Sequence, residues 1–461
     1  MRTRTLKLIL FLIGTISIAA QITVPERFPL QSYEKDYNES FILGLQNNDL
    51  ILFWYDSFNL EIKYARSTDS GNSWIDENIL VLFSSQLQIS PDINAIQLNS
   101  GRILFTYRSG EYRIIYSDDN CNSWTQPSIL PTRPTPPLRR AVYRSSLGKS
   151  SNNSAVFVHS YINPPGSFIS RGIYTIASTD GVNWSGSTTI DTAGVNGNLL
   201  ALSSSKDMIV YNDSTNGSSD IFYRTTTDGG FSWSSKELLI GSDNDMINAR
   251  GIKDQSGKVW IFFEEEEQTS LSGFTQKDIN YITSTNDGNN WSPKEKFTTY
   301  KGIDDNLSLS LWSGKPVVSF SSSRAFSIQN QKKQIYYGIG GETIDTNGPP
   351  YLFAHSVNPT SPNHNESVTF RAWVLDDTAV DSVILILQNN GSPPQYYQMY
   401  DDGMHGDSLA NDNIYGFFLQ SGFNDGDAIN YSFLLKDVSG NQSGFNAGFF
   451  TVPGLSSLDK Y

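Results

Sequence analysis

The sequence predicts an all-β protein in which a six-bladed β-propeller is followed by an Ig-like β-sandwich. Three observations support this prediction. A turn motif that ends in Trp recurs five times, six short hydrophobic stretches accompany it, and the composition changes at residues 346–350. We therefore expect the propeller in residues 21–345, a linker at 346–350, the sandwich in 351–453 and a tail at 454–461.

The repeated turn motif has Ser or Thr, an Asp or Asn two residues later, a small residue and a closing Trp. Its copies occupy residues 67–74, 117–124, 178–184, 226–233 and 284–291. The Asp or Asn side chain can accept hydrogen bonds from nearby backbone amides, and the Trp can bury its ring at the start of the next strand. The residues predicted to hold these turns are Asp69, Trp74, Asp119, Trp124, Asp180, Trp184, Asp228, Trp233, Asp287 and Trp291.

The interval between successive copies is roughly 50 to 60 residues, which is the period of a propeller blade or a solenoid repeat. A hydrophobic stretch precedes each motif, and a sixth follows at residues 316–320. Six units predict six blades, because a closed ring removes long exposed sheet edges. Residues 21–36 read as an extended segment suited to a closing strand. A parallel β-solenoid is the alternative, although its repeats are much shorter.

The pattern S/T-x-D-x-G-x-x-W resembles the Asp box, or BNR repeat, of the sialidase-like propellers. This resemblance implies a sialidase-like propeller in which each box closes a hairpin on the face away from the active site. The boxes therefore describe how the chain folds, and other residues must determine its function.

The C-terminal part of the chain contains six or seven short hydrophobic stretches between residues 367 and 452. This density of strands predicts a sandwich of immunoglobulin or fibronectin type. The Cys…Trp…Cys framework of disulfide-bonded immunoglobulin domains is missing, since Cys121 is the one cysteine in the sequence.

Four acidic residues lie close together within this C-terminal part. They are Asp401, Asp402, Asp407 and Asp412. Clustered carboxylate oxygens suit Ca²⁺, so a calcium site is one interpretation; a loop stabilised by Asp and Gly without metal is the other. We expect no further cofactor to be required.

The N-terminus predicts export. Three basic residues precede a mostly apolar run at 8–20, which is too short to span a bilayer as a helix and is typical of a signal peptide ending near Ala20. A retained membrane anchor is the alternative. We expect a secreted, periplasmic or cell-surface protein, with no membrane insertion after cleavage. The net charge of −14 disfavours nucleic acid as a partner.

Polar residues stand where the inner strands of the predicted blades begin, so they should converge on the propeller axis. Such a concavity suits a glycan or another polar extracellular ligand. The residues predicted to bind it are Arg139, Arg140, Asn196, Asn248, Asp304, Asp305 and Arg324.

Sialidases of the resembled family hold the substrate carboxylate with three arginines and use a Tyr nucleophile, a Glu and an Asp. The family's Arg-Ile-Pro motif is missing from this sequence, where residues 39–43 read Glu-Ser-Phe-Ile-Leu. Arg250 matches one arginine position of the family. The remaining catalytic candidates are Asp92, Tyr300 and Glu264, the last of which begins a Glu run that otherwise reads as solvated charge.

Three hypotheses follow for function. The first is glycan recognition at the axial face without standard sialidase catalysis. The second is a glycoside hydrolase of sialidase type with rearranged residues, including a paired-carboxylate variant that uses Asp92 with Asp304 or Asp305. The third is an adhesive or structural cell-surface protein without catalysis.

Overall fold

The computed structural model describes residues 39–57, 59–85, 91–132, 144–162, 171–214, 217–228, 230–268, 275–329, 331–341, 348–420 and 423–454. All regular elements in these ranges are β-strands. The predicted signal peptide at 1–20 and the extended segment at 21–36 lie outside the described residues. Within these ranges the chain forms no helix that could cross a membrane.

The described residues between 39 and 341 form six antiparallel sheets, and each sheet pairs its strands in chain order. The first sheet contains β1 (Ser40–Gly44), β2 (Leu50–Asp56), β3 (Glu61–Ser67) and β4 (Ile75–Leu82). The second contains β5 (Asn94–Gln97), β6 (Ile103–Ser109), β7 (Glu111–Ser117) and β8 (Ser128–Ile129). The third contains β9 (Ser146–Lys149), β10 (Ala155–Ile162), β11 (Arg171–Ser178) and β12 (Thr188–Asp191).

The remaining three sheets follow the same order. The fourth contains β13 (Val195–Ser203), β14 (Lys206–Asp213), β15 (Asp220–Thr226) and β16 (Glu237–Ile240). The fifth contains β17 (Asp245–Lys253), β18 (Val259–Gln268), β19 (Thr275–Ser284) and β20 (Glu295–Lys296). The sixth has three strands in the described residues, β21 (Asp304–Trp312), β22 (Lys315–Ser322) and β23 (Gln334–Ile339).

The six sheets close into a ring, because an apolar cluster lies between every pair of neighbours. Phe53 and Phe105 pack between the first two sheets, and equivalent clusters follow around the ring. The last cluster joins Leu52 of the first sheet to Val317 of the sixth. The Ile42 amide also donates to Ser308 Oγ at 3.1 Å across this closing junction. These contacts confirm the all-β propeller class that the sequence predicts.

The box turns are held by local hydrogen bonds. In the first, Ser67 Oγ donates to Asp69 Oδ1 at 2.8 Å, and the Ser73 amide donates to the same oxygen at 2.8 Å. The five box Trp rings, Trp74, Trp124, Trp184, Trp233 and Trp291, pack against the apolar clusters between sheets. Each box therefore ties its turn to the core.

The fifth box differs from the prediction in one residue. Asn286, and not Asp287, accepts the hydrogen bond from the first hydroxyl of the motif, Ser284 Oγ, at 2.9 Å. Asp287 instead forms an ion pair with Lys253 at 2.7 Å. The amide oxygen of Asn can replace the carboxylate here because both accept backbone N–H bonds in turns.

The C-terminal part forms two stacked sheets around one apolar core. One sheet contains β24 (Tyr351–Asn358), β25 (Val368–Leu375) and β28 (Ile414–Leu419). The other contains β27 (Gln395–Met399), β26 (Val380–Asn389), β29 (Ala428–Asp437) and β30 (Gln442–Thr451). Inward residues such as Phe370, Leu385 and Phe433 are fully buried, as the alternation of side chains along strands requires.

Candidate axial binding site

Polar side chains from several inner strands meet where those strands begin, and we call this group the axial hub. The axial hub consists of Glu39, Asp92, Arg144, Asn196, Asn248, Arg250, Glu264, Asp305 and Asn306. It combines four carboxylates, two guanidinium groups and three amides. Side chains of this kind can bind a polar ligand through hydrogen bonds from several directions.

The inner strands carry a shared backbone distortion at the axial hub. Asp92, Asn196, Asn248 and Asn306 all have positive φ, between 50° and 59°. The pairing register shifts across the three asparagines, as it does at a β-bulge. Asn and Asp adopt this left-handed conformation more readily than most residues, and a bulge turns a side chain toward a new direction.

Arg144 reaches across the axis between non-adjacent sheets. Its Nη1 donates to Glu39 Oε1 at 3.1 Å, its Nη2 donates to Asn306 Oδ1, and its backbone amide donates to Asn196 Oδ1 at 2.8 Å. Its side chain is 24% exposed. Burial acts to lower the pKa of Arg144, but the surrounding carboxylates, first Glu39, hold that pKa above its usual value. Arg144 is therefore a fixed positive charge at the axis on a side chain that is only partly buried.

Arg144 is absent from the residues predicted to bind the ligand, although the sequence contains a signal for it. An equal spacing along the chain separates Asp92, Arg144, Asn196 and Asn248. In each of the four sheets, pairing with the second strand begins or resumes two residues after the hub residue, so the repeat itself places Arg144 at the axis.

Glu264 lies at the axial hub and is buried. Its Oε1 accepts hydrogen bonds from Asn248 Nδ2 at 2.6 Å and from the Leu307 amide at 3.0 Å. Burial, and then the charge of Asp305, raise the pKa of the Glu264 carboxyl. This residue was predicted as a catalytic candidate, and its position at the axis is compatible with such a role.

The rest of the Glu run is not simply solvated. Glu265 points to the opposite face of β18 and is buried against Lys294, with 2.5 Å between Nζ and Oε2. Glu266 and Glu267 are partly exposed and pair with Lys277 and Lys296. The alternation of side chains along the strand thus gives these carboxylates different environments.

Arg250 and Asp305 complete the charged part of the axial hub. Arg250 is 7% exposed and donates to two backbone oxygens, Ser145 O at 3.2 Å and Ala249 O at 3.5 Å. Burial, and then the charge of Arg144, lower the pKa of Arg250 to about 10. Asp305 accepts from Lys333 Nζ at 2.7 Å and from Asn306 Nδ2 at 2.9 Å.

Asp92, the remaining catalytic candidate at the axial hub, has a structural contact. Its Oδ2 accepts a hydrogen bond from the Ser145 amide at 2.8 Å, which joins the second sheet to the third. Asn248 has an unused acceptor, because its buried Oδ1 has no hydrogen-bond partner in the described residues. The axial hub therefore retains hydrogen-bonding capacity for a bound molecule or water.

Three predicted residues lie elsewhere, in a buried cluster of their own. Arg324 donates to both oxygens of Asp304, at 3.1 and 2.8 Å, and neither side chain is more than 2% exposed. The Tyr300 ring lies 5.0 Å from the Arg324 guanidinium and 6.0 Å from the ring of Tyr351, which belongs to the C-terminal part. Asp304, Arg324 and Tyr300 thus form a packing cluster, and their predicted roles in catalysis and ligand binding find no support in the geometry.

Burial raises the pKa of Tyr300 well above its usual value, so this Tyr is poorly suited to act as a nucleophile. Arg139 and Arg140, which were predicted to bind the ligand, lie outside the described residues.

The acidic loop of the C-terminal part brings three of its four predicted residues together. One carboxylate oxygen from each of Asp401, Asp407 and Asp412 lies within 4.8 Å of the others. Asp402 points away and bonds His405 Nδ1 at 2.8 Å. The same carboxylates accept backbone amides, as Asp407 Oδ2 does from Gly403 N at 2.9 Å. The calcium site stays a prediction, because these bonds also explain the loop without metal.

If Ca²⁺ binds here, millimolar CaCl₂ should raise the thermal midpoint of the protein, since a ligand that binds only the folded state stabilises it. Asp407→Asn should abolish this increase, because it removes a charged oxygen from the cluster. Asp402→Asn is the matched control and should leave the increase unchanged. Differential scanning calorimetry with CaCl₂ and with EDTA measures the effect, and equal midpoints in the two buffers would contradict the prediction.

No protein-family model matches the sequence, and no curated protein matches it. Similar solved structures include a Hadza microbial sialidase, at 14% identity and TM-score 0.46, with 66% of this chain and 65% of that chain covered.

Two further similar structures have comparable scores. One is a mutant NanB sialidase from Streptococcus pneumoniae, at 12% identity and TM-score 0.47, covering 67% of this chain and 70% of that chain. The other is an α-L-arabinanase of Penicillium chrysogenum complexed with arabinobiose, at 12% identity and TM-score 0.47, covering 69% of this chain and 96% of that chain. The chain thus spans about two thirds of the length of the two sialidases and nearly all of the arabinanase.

Proposed function

We propose that the axial hub binds an uncharged glycan outside the cell, without standard sialidase catalysis. The observation that supports this most directly is the position of Arg144. Its guanidinium lies at the axis and donates to Glu39 and Asn306, while its backbone amide donates to Asn196, so partners from three other sheets fix this partly exposed residue. A ligand hydroxyl placed there would meet donors and acceptors that are already oriented, which reduces the entropy cost of binding.

The charge of the axial hub favours an uncharged ligand over an acidic sugar. The hub contains four carboxylates and only two guanidinium groups. Arg144 is already paired with Glu39, and Arg250 is buried against backbone oxygens. A substrate carboxylate would therefore meet two arginines that are already engaged, in contrast to the three-arginine site of sialidases. Neutral hydroxyl groups, by comparison, can donate to carboxylates and amides at little electrostatic cost.

The standard sialidase reaction also requires an accessible Tyr near the axis. The predicted Tyr300 lies instead in the buried cluster with Arg324 and Asp304. This separation supports recognition by a different set of residues from those used in sialidases.

A glycan array probed with the full chain lacking residues 1–20 tests the proposal. We expect binding to neutral oligosaccharides and weak or no binding to sialylated ones. Arg144→Gln should weaken binding to the best glycan by roughly 10- to 100-fold, because a hydrogen bond to a charged group contributes about 1.5–3 kcal/mol.

Arg102→Gln is the matched control for this variant. Arg102 pairs with Asp118 at 2.7 Å next to the second box, away from the axial hub, so its loss should leave the dissociation constant unchanged. An array without any bound glycan would overturn the proposal and favour an adhesive or structural role.

A further inference from the structure

Two carboxyl groups of the axial hub, Glu264 and Asp305, lie on neighbouring sheets. A hydrogen bond connects these sheets close to both residues. Glu264 is on β18, and Asp305 is the second residue of β21. The Leu307 amide, two residues after Asp305, donates to Glu264 Oε1 at 3.0 Å. This hydrogen bond fixes the position of Glu264 relative to the strand that carries Asp305.

The two carboxyl groups have different surroundings. Glu264 is 4% exposed and has neutral donors, Asn248 Nδ2 and the Leu307 amide, which both bond to its Oε1. Its Oε2 is therefore the oxygen at which a proton can be held. Asp305 is 13% exposed and accepts from the charged Lys333 on Oδ2 and from Asn306 on Oδ1.

This difference in surroundings suits Glu264 to act as an acid and Asp305 to act as a base. Burial and the nearby charge of Asp305 raise the pKa of Glu264, which favours its protonated form. Asp305, in contrast, forms an ion pair with the ammonium group of Lys333 at 2.7 Å. Pairs of carboxyl groups whose environments differ in this way perform acid–base catalysis of glycoside hydrolysis in many enzymes.

We propose that the axial hub hydrolyses the glycosidic bond of its neutral glycan, with Glu264 as the proton donor and Asp305 as the general base. This inference rests on the proposed function, since it requires the glycan to bind at the axial hub. It assigns chemistry to a pair of residues different from the Tyr, Glu and Asp of sialidases.

The reaction is a single displacement. The bond between the anomeric carbon and the glycosidic oxygen breaks, the oxygen keeps the electron pair, and it receives the proton of Glu264 Oε2. A water molecule forms the new bond to the anomeric carbon, and Asp305 takes the proton that this water loses. One water is consumed, two hydroxyl products form, and proton exchange with solvent restores both carboxyl groups.

The two arginines support this step. Arg144 and Arg250 both lie close enough to Glu264 for their charges to interact with it. They stabilise the carboxylate that remains on Glu264 after the proton has left. Asp305 has one donor on each of its oxygens, Lys333 on Oδ2 and Asn306 on Oδ1, so each oxygen keeps a second lone pair that can accept a proton from water.

The test incubates every glycan that the array retains with the wild-type chain, and measures new reducing ends. Glu264→Gln and Asp305→Asn should each lower kcat by about 10²- to 10⁴-fold, the usual contribution of a general acid or base. Both variants should still bind the glycan on the array. Glu267→Gln is the control, because Glu267 pairs with Lys296 at the edge of β18 and should retain full activity.

Two further measurements identify the roles and guard against misfolding. Glu264→Gln should lose much less activity on a 2,4-dinitrophenyl glycoside, whose leaving group departs without a proton, and an unfolded variant would lose both activities equally. Proton NMR of the first product should show inverted anomeric configuration. Retained configuration would overturn the assignment of Asp305 as the base.

The outcomes separate this inference from the proposed function. Binding of glycans by the wild-type chain without any turnover overturns the hydrolysis and leaves recognition standing. The absence of both binding and turnover overturns the proposed function as well. Full activity of Glu264→Gln on an unactivated glycan overturns its role as the acid.

Discussion

Arg324→Ala is expected to lower the free energy of unfolding by about 3–5 kcal/mol, the largest loss of stability that we predict for a single substitution. Arg324 donates two hydrogen bonds to Asp304, and both side chains are essentially excluded from solvent. Removal of the guanidinium leaves a buried carboxylate without its charged partner. The variant also loses contacts between the guanidinium and the rings of Tyr300 and Phe320.

Urea unfolding at pH 8 measures this effect, with Lys436→Ala as the matched control. Lys436 pairs with Asp381 at 3.5 Å, but both side chains are more than 40% exposed, so its loss should cost less than about 1 kcal/mol. The double variant Asp304→Leu, Arg324→Met should recover most of the stability, because it removes both buried charges together. Equal losses of unfolding free energy for Arg324→Ala and Lys436→Ala would show that the buried ion pair contributes no more to stability than the exposed one.

The fold could be predicted from the sequence because each box turn is determined by residues that lie close together along the chain. A hydroxyl, an Asp and a Trp within eight residues determine the turn and its anchor in the core, as at Ser67, Asp69 and Trp74. The sixth sheet has no box in the sequence and was predicted from its hydrophobic strands alone. The misassigned Asp287 shows the limit of this approach, since Asn286 satisfies the same backbone donors.

The site was only partly predictable, because the direction of a side chain at a β-bulge cannot be inferred from the residues next to it in the sequence. Asp304 and Asp305 are adjacent in sequence, yet one is buried against Arg324 and the other reaches the axial hub. The register shift between Asp305 and Ser308 alters which side chains face the axis. Arg144 depends on partners far away in the chain, Glu39 and Asn306, so a local pattern could not reveal its contacts.

His159→Phe is expected to remove a loss of stability that the wild-type protein undergoes in acid. The His159 ring is 3% exposed and stacks between Phe157 and Tyr174, with centroids 5.9 and 5.7 Å apart. Neither ring nitrogen has a hydrogen-bond partner in the described residues. Burial therefore lowers the pKa of His159 from its usual 6.5 to about 4, because the charged form has no stabilising partner.

The sign of the effect follows from proton binding. Between pH 6.5 and pH 4 the unfolded chain protonates this His and the folded protein does not, so stability is complete above pH 6.5 and declines as the pH falls. The loss from His159 alone should reach about 2–3 kcal/mol at pH 4.5, from 1.36 kcal/mol for each pKa unit. Phe should fill the same space without a titrating group.

The pH dependence of stability that Asp304 causes has the opposite sign to that of His159. The experiment must therefore separate the two contributions. Burial raises the pKa of Asp304 to about 6, so its contribution to stability grows as the pH falls through the range from 6 to 3.8. The wild-type profile alone therefore mixes two opposing effects. The difference in urea-unfolding free energy between wild type and His159→Phe, measured at pH 7 and at pH 4.5, isolates the His because Asp304 is common to both proteins.

The control variant is His364→Phe, because the side chain of His364 is half exposed. Its unfolding free energy should follow that of the wild type at both pH values. A difference that stays constant between the two pH values would mean that His159 is protonated in the folded protein, through a partner for the imidazolium.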